Sequence, residues 1–335
     1  NFEFEDDQRG KAALSVQGKG NVEIELDGNN ELKSGASRAG LEKTSTGKLT
    51  LKDDNKEAGS LTATGGASAA GIGGDWKGSG ENITITGGTV DATGGYGSAG
   101  IGGGKEGKGE NITITGGTVN ATSNDGAGIG GGLLGSGENI AITGGTVNAT
   151  GTDGAGIGGG NGGVGKNITI TGGTVTAAGG FGNAGIGGGV NGIGSKVTVS
   201  GAAQVTATAT GSGPDWSGVG TGATIGNGGS KTPDGPVDGK EIRADISGLT
   251  TGYIHHIIYN PDLDSDGKPD GILKEWWEFA LPKPIPDGES LDLHVETLKG
   301  APLPFNTRQQ GSTLRVTTDN LSARLHGTRQ ALETL

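Results

Sequence analysis

Residues 154–177 read GAGIGGGNGGVGKNITITGGTVTA, and ten of these 24 residues are glycine. Nearly the same wording returns along the chain. The isoleucine of "AGI" falls at Ile72, Ile101, Ile129, Ile157 and Ile186, and the head of the "ITIT" word at Ile83, Ile112, Ile140, Ile168 and Val197. Both frames step by 29, 28, 28 and 29 residues, so two unrelated words share one period. Looser copies flank the array, Leu41 in "SRAGLEK" and Val219 in "WSGVGTG", which brings the count to about seven units. Within a unit the pattern has period two: Ile83-Thr84-Ile85-Thr86, a Gly87-Gly88 corner, Val90-Asp91-Ala92-Thr93, a second glycine corner, then Ala99-Gly100-Ile101. Alternation of this kind puts Ile, Val and Ala on one face and Thr, Asn and Asp on the other. Three short strands with glycine corners make one coil of a parallel β-helix, and each coil can bury its apolar face only against another copy of itself. The expected fold is therefore all-β, a parallel β-helix of about seven coils followed by a small β-rich C-terminal domain.

Composition excludes the competing explanations. The chain has 335 residues, 76 of them glycine, but only 10 prolines and no strict three-residue period, so it is not collagen. Disorder is argued against by the regular Ile and Val spacing. The formal charge of −12 is spread over the length, with 14 basic and 21 acidic residues in 1–230 and 11 and 16 in 231–335. Such a surface disfavours nucleic acid and anionic lipid and attracts cations. No cysteine is present, so there is neither a disulfide framework nor a thiolate metal site. No apolar run reaches the ~18 residues that cross a bilayer, and membrane insertion is not expected. The absence of methionine, including at position 1, reads as a mature or excised fragment.

The domains are read as follows: residues 1–228 form the Gly-rich β-helix with an N-terminal cap, 229–239 ("GSKTPDGPVDG") a linker, and 240–335 a β-rich domain. The last segment holds all four histidines and six of the twelve aromatics. Its strand candidates are "GYIHHIIYN", "LKEWWEFALP", "ESLDLHVETL" and "STLRVTTDN", with a short helix over "LSARLHGTRQALETL".

Outward positions recur in register and should form ladders. Asn82, Asn111, Asn139 and Asn167 precede each "ITIT" strand, where stacked amides can hydrogen-bond to one another. Beside them stand Glu81, Glu110 and Glu138, then Lys166; the carboxylates either form a solvated edge or share a cation. Two threonine ladders, Thr84/Thr113/Ala141/Thr169 and Thr86/Thr115/Thr143/Thr171, suit a strand surface and also the flat array of an ice-binding solenoid. Four aromatics interrupt the solenoid: Tyr96 and Phe181 in equivalent corners, Trp76 and Trp216 in "GDWKG" and "PDWSG" loops. Exposed rings beside Asp or Asn are the means by which proteins stack on sugars, so these four are the ligand-binding candidates. The metal candidate is "DLDSDGKPDG", where Asp262, Asp264, Asp266 and Asp270 occupy positions 1, 3, 5 and 9 around Gly267. Hard oxygen ligands at that spacing fit Ca²⁺, although position 12 is Leu273 where an EF-hand has Glu. No catalytic residue is assigned. His255 and His256 alternate across a strand without a sequence-local Ser or Cys, and Asp91 is succeeded by Asn120, Asn148 and Thr176.

The words "NVEIELDGNNEL", "AGLEKTSTGKLTL", "GSLTATGG", "AGIGGG" and "NITITGGTV" resemble the glycine-rich β-helix repeats of large surface proteins of anaerobic Firmicutes. The resemblance covers about residues 20–228. It implies right-handed winding, in line with the usual hand of parallel crossovers, a cell-surface role and a glycan ligand, and it transfers no catalytic residue. Motif and resemblance together lead to the expectation of a secreted or surface-attached adhesin that binds a polysaccharide or a host-surface glycan or protein, with Ca²⁺ as its ion. The alternatives are a polysaccharide lyase or hydrolase of pectate-lyase-like shape, a structural stalk of a larger protein and, last, an ice-binding protein. No LPxTG-type anchor occurs, so attachment is expected outside this segment.

Overall fold

The computed structural model describes residues 2–3, 10–55, 58–211, 219–261, 270–280, 293–303, 306–310, 313–317 and 324–327. The chain divides into two compact units, 1–279 and 280–335. Among the described residues every regular element is a strand, and no helix is long and apolar enough to cross a membrane.

The first unit is a parallel β-solenoid of about seven turns. Each coil gives one strand to each of three sheets. Sheet A, of ten strands, contains the "TVxAT" words, as in Thr89–Thr93 and Thr118–Ser123; sheet B, of eight, contains the two-residue Ile-Gly strands; sheet C, of seven, contains the "ENITI" words, as in Gly80–Ile85. Register is residue for residue: Val90 pairs with Val119, Ile101 with Ile129, Ile83 with Ile112. The core is thus a set of columns of identical side chains, and Ile83, Ile85, Val90, Ile101, Ile112 and Ile129 are all fully buried. Alanine fills six successive levels of one column, Ala63, Ala92, Ala121, Ala149, Ala177 and Ala207. The narrow lumen explains why: larger side chains at every level would overfill it.

Glycine is required where coils touch most closely. Gly130, in sheet B, has φ +136°, and a Cβ there would stand 2.0 Å from the carbonyl oxygen of Gly158 in the next coil. Both the left-handed backbone and the contact forbid a side chain.

Two sequence expectations change at the C-terminal end of this unit. The next "AGI" equivalent after Ile186 is Ile225, 39 residues on, rather than Val219. The stretch read as a linker is folded: Ser230–Thr232 and Gly235–Val237 form an antiparallel pair, and Gly220 N and Asn191 N donate to the carbonyls of Ser230 and Gly229. Residues 240–279 likewise belong with the solenoid. Tyr253–Tyr259 runs parallel to Gln204–Thr210, with Val205 opposite Ile254 and Ala207 opposite His256. Ile272–Phe279 then returns antiparallel and is the last strand of sheet A. The Pro- and Asp-rich composition that suggested a linker instead turns the hairpin of residues 230–237, and further on Ile254 is buried opposite Val205 of the coil before.

In the second unit Leu293–Glu296 lies between Pro302–Leu303 and Arg324–Gly327, and Asn306–Gln310 pairs with Thr313–Thr317, all antiparallel. The helix expected over 321–335 is contradicted at Arg324–Gly327. Pairing with Leu293–Glu296 overrides local helix preference there; the rest of that segment lies outside the described residues.

Candidate functional site

The expected ladders form. Asn111 Nδ2 donates to Asn82 Oδ1 at 3.2 Å, Asn139 to Asn111 at 3.3 Å and Asn167 to Asn139 at 3.0 Å. All four asparagines have φ between +54° and +57°, so each sits in a left-handed bulge that Asn tolerates better than most residues. Glu81, Glu110 and Glu138 are in register, and Lys166 continues the column. Lys108 Nζ lies 3.2 Å from Glu110 Oε1, and hydrogen bonding and charge from Glu110, then the charges of Glu138 and Glu81, hold the ammonium above its ordinary pKa. A lysine of the chain itself therefore answers the carboxylate column. Among the described residues no three His, Asp or Glu side chains converge on a common point.

The corner aromatics are partly brought together. Trp76 and Tyr96 are 53% and 58% exposed. Lys105 stands in the place of Trp76 one coil on, where its carbonyl accepts from Lys77 N at 2.9 Å. Its Nζ lies 5.4 Å from the Tyr96 ring, as Lys77 Nζ lies 5.0 Å from the Trp76 ring. Each ring thus already has an ammonium over a face. Phe181 is half-buried, and Trp216 lies outside the described residues. So do Asp262, Asp264 and Asp266; Asp270 is described, and Asn260 N and Nδ2 donate to Gly271 O at 2.9 Å and to Asp270 O at 3.3 Å.

Between the Tyr96 and Phe181 corners the structure pairs two carboxyls. Asp125 and Asp153 occupy matching corners of adjacent coils, joined by Asp153 N donating to Asn124 O at 2.5 Å. Burial first, then the charge of Asp125 and a hydrogen bond to it, raises the Asp153 carboxyl to about 6. The words "NDGAG" and "TDGAG", 28 residues apart, carried this signal, which attention to the Asp91 column missed.

The largest unforeseen feature is the end of sheet A. On its outer side Tyr253 faces Phe279 and His255 faces Trp277 across the hairpin. The His255 ring lies on Trp277 at 3.7 Å, within 6° of parallel. Phe279 is parallel to Trp277 within 3°, centroids 5.9 Å apart, and Tyr253 leans against Trp277 at 5.1 Å and 60°. His255 Nε2 lies 2.6 Å from Glu275 Oε1, which fixes the imidazole behind the indole. Trp277 is 44% and Phe279 60% exposed.

The inner side of the same hairpin closes the core with polar groups. His256, 2% exposed, stacks on Trp276 at 4.4 Å and places Nδ1 2.6 Å from Thr224 Oγ1. Thr224 N donates to Glu241 Oε1 at 2.6 Å and Ile225 N to Oε2 at 3.1 Å. A hydrogen bond from His256, opposed by burial and helped by the charges of His256 and Arg243, holds Glu278 below the ordinary carboxylate range. These groups brace the platform from beneath.

The β-helix repeat family model matches residues 57–78, 83–105, 112–133, 140–161 and 168–190. No curated protein and no solved structure matches the chain. All five matched segments fall within the coils described above, in keeping with the parallel β-helix of the first unit.

Proposed function

We propose that this is a secreted or cell-surface binding protein of adhesin type, which recognises a glycan or another component of a host surface. One observation carries the reading: large aromatic side chains stand exposed on a rigid solenoid, at Trp76, Tyr96, Trp277 and Phe279. Grouped exposed rings suit contact with a ligand that has both apolar and hydroxyl faces. The solenoid supplies rigidity, since every coil is held by its neighbours. Ca²⁺ belongs to the same proposal: Asp262, Asp264, Asp266 and Asp270 would hold it, in the segment that joins the two aromatic strands. A panel of immobilised neutral and acidic polysaccharides, probed with and without a chelator, tests both parts. Binding to at least one polysaccharide, weakened on chelation, is expected; no binding to any would overturn the reading.

A second reading is polysaccharide cleavage, in which Asp153, its carboxyl raised to about 6 by burial and by Asp125, would serve as the proton donor. Release of reducing or unsaturated ends that Asp153→Asn abolishes would establish it.

A further inference from the structure

We infer that the end of sheet A is the ligand subsite, and that its ligand is a neutral glycan chain whose sugar face lies on Trp277 and Phe279. The inference rests on the binding reading above and names its site and ligand class.

Three observations separate this surface from the corner aromatics. The first is the partner of each ring. Trp76 and Tyr96 each have a lysine ammonium over the ring, at 5.0 and 5.4 Å. Trp277 has instead the His255 ring against one face, and it belongs to the last strand of sheet A among the described residues. The second is shape. Trp277 and Phe279 lie parallel within 3° with centroids 5.9 Å apart, and Tyr253, tilted by 60° to Trp277, borders them. A pyranose presents a flat C–H face of matching kind and a rim of hydroxyls. His255, Glu275 and Tyr253 lie beside the rings with donors and acceptors for such a rim.

The third is charge. Lys274, a cation of this strand, lies over Trp276 on the opposite, core-closing side, 4.5 Å from that ring. The outer side bears Glu275, in a chain of net charge −12. A uronic, sulfated or sialylated chain would meet repulsion here, and a neutral one would not. The lysine-bearing corners have the opposite character, so the molecule itself provides the contrast. His255 acts as a positioning residue: stacked on Trp277 and bound to Glu275, it fixes the plane of the indole before a ligand arrives, which lowers the ordering cost of binding.

The test uses the full chain and a panel of neutral hexasaccharides (β-glucan, xylan, mannan and chitin types), with polygalacturonate and heparin oligosaccharides as acidic counterparts. Affinities are measured by calorimetry for wild type, Trp277→Ala, Trp277→Phe, Phe279→Ala and the Trp76→Ala/Tyr96→Ala double variant. Thermal melting establishes that each is folded. The expected result is binding of at least one neutral hexasaccharide that weakens about tenfold or more in Trp277→Ala, where one lost stacking contact of ~1.4 kcal/mol is a factor of ten. Trp277→Phe, which keeps a ring, and the corner double variant should stay close to wild type. Loss of binding in the corner variant alone, or binding of acidic chains only, would overturn this inference and leave the binding reading standing. Binding of no glycan at all would overturn both. Trp277-dependent dimerisation in sedimentation without glycan binding would give the face to a second copy of the chain, and would also overturn it.

Discussion

The repeated coils and the last coil are built on the same sheets but obey different constraints. Through the array, an inward position of sheet A is alanine six times in succession, and the seventh neighbour, opposite Ala207, is His256. Outward, the same strands show mostly Thr, with Asn and Asp, until the final pair, where Tyr253, His255, Trp277 and Phe279 appear. In the array each residue must stack on its own copy above and below, which admits few side chains and produces surfaces that repeat every ~4.8 Å. At the end, a strand has a neighbour on one side only, or runs antiparallel, and the copying rule lapses. Distinctive chemistry collects where periodicity stops.

The contrast can be broken most severely at the coil contacts. Gly130→Ala sets a Cβ against the Gly158 carbonyl in a left-handed backbone, and a loss of about 4 kcal/mol or more in denaturant unfolding is expected. Gly271, also left-handed at φ +90° but with nothing within 4 Å of its Cβ site, should lose only ~1 kcal/mol to the same change. Next in size, Ile129→Ala removes a fully buried member of a continuous column and should cost about 3 kcal/mol. Thr224→Val strips the hydroxyl from the buried His256 and Glu241 network. Its expected cost is ~1–3 kcal/mol, with faster amide exchange confined to the strands around Ile225 and Tyr253–Tyr259 rather than spread along the array.

The smallest effect concerns Asp153. Because its carboxyl is raised to about 6 in the folded protein, that state keeps a proton which the unfolded chain, with Asp near 3.9, has already released. Stability from this group is present below the unfolded value, falls as pH rises towards 6, and is gone above it. Asp153→Asn should therefore raise the melting temperature at pH 7.5 relative to wild type and leave it nearly unchanged at pH 4. The difference is at most about 1 kcal/mol, since the group is half-exposed and screened by water.

How far the sequence revealed all this follows from the same contrast. Two words with one period suffice to set strand order, register and core columns, because a repeated coil has a single way to bury its Ile and Val. The asparagine column was legible as a ladder, but not its left-handed backbone, since nothing local distinguishes a bulge from a regular strand. Past Ile186 the period gives out. Ile225 and Tyr253–Tyr259 join their sheets through pairing that no repeat announces, so a boundary was expected where the solenoid in fact continues. The aromatic platform stayed hidden for a related reason. "HHIIY" and "EWWEF" show their rings in sequence, yet only the antiparallel register sets His255 on Trp277 and sends His256 and Trp276 inward. The corner aromatics were visible because they interrupt a pattern; Lys77 stands next to Trp76 in the sequence, whereas Lys105 reaches Tyr96 only through the fold.

The most direct test of the central claim, that recognition sits where the repeat ends, is amide hydrogen exchange on the full chain with and without a saturating neutral hexasaccharide selected from the panel. The account predicts added protection confined to Tyr253–Tyr259 and Ile272–Phe279, with the coils from Thr89 to Val199 unchanged. Protection centred on the corners around Trp76, Tyr96 and Lys105 would contradict it and place recognition in the repeating part of the molecule.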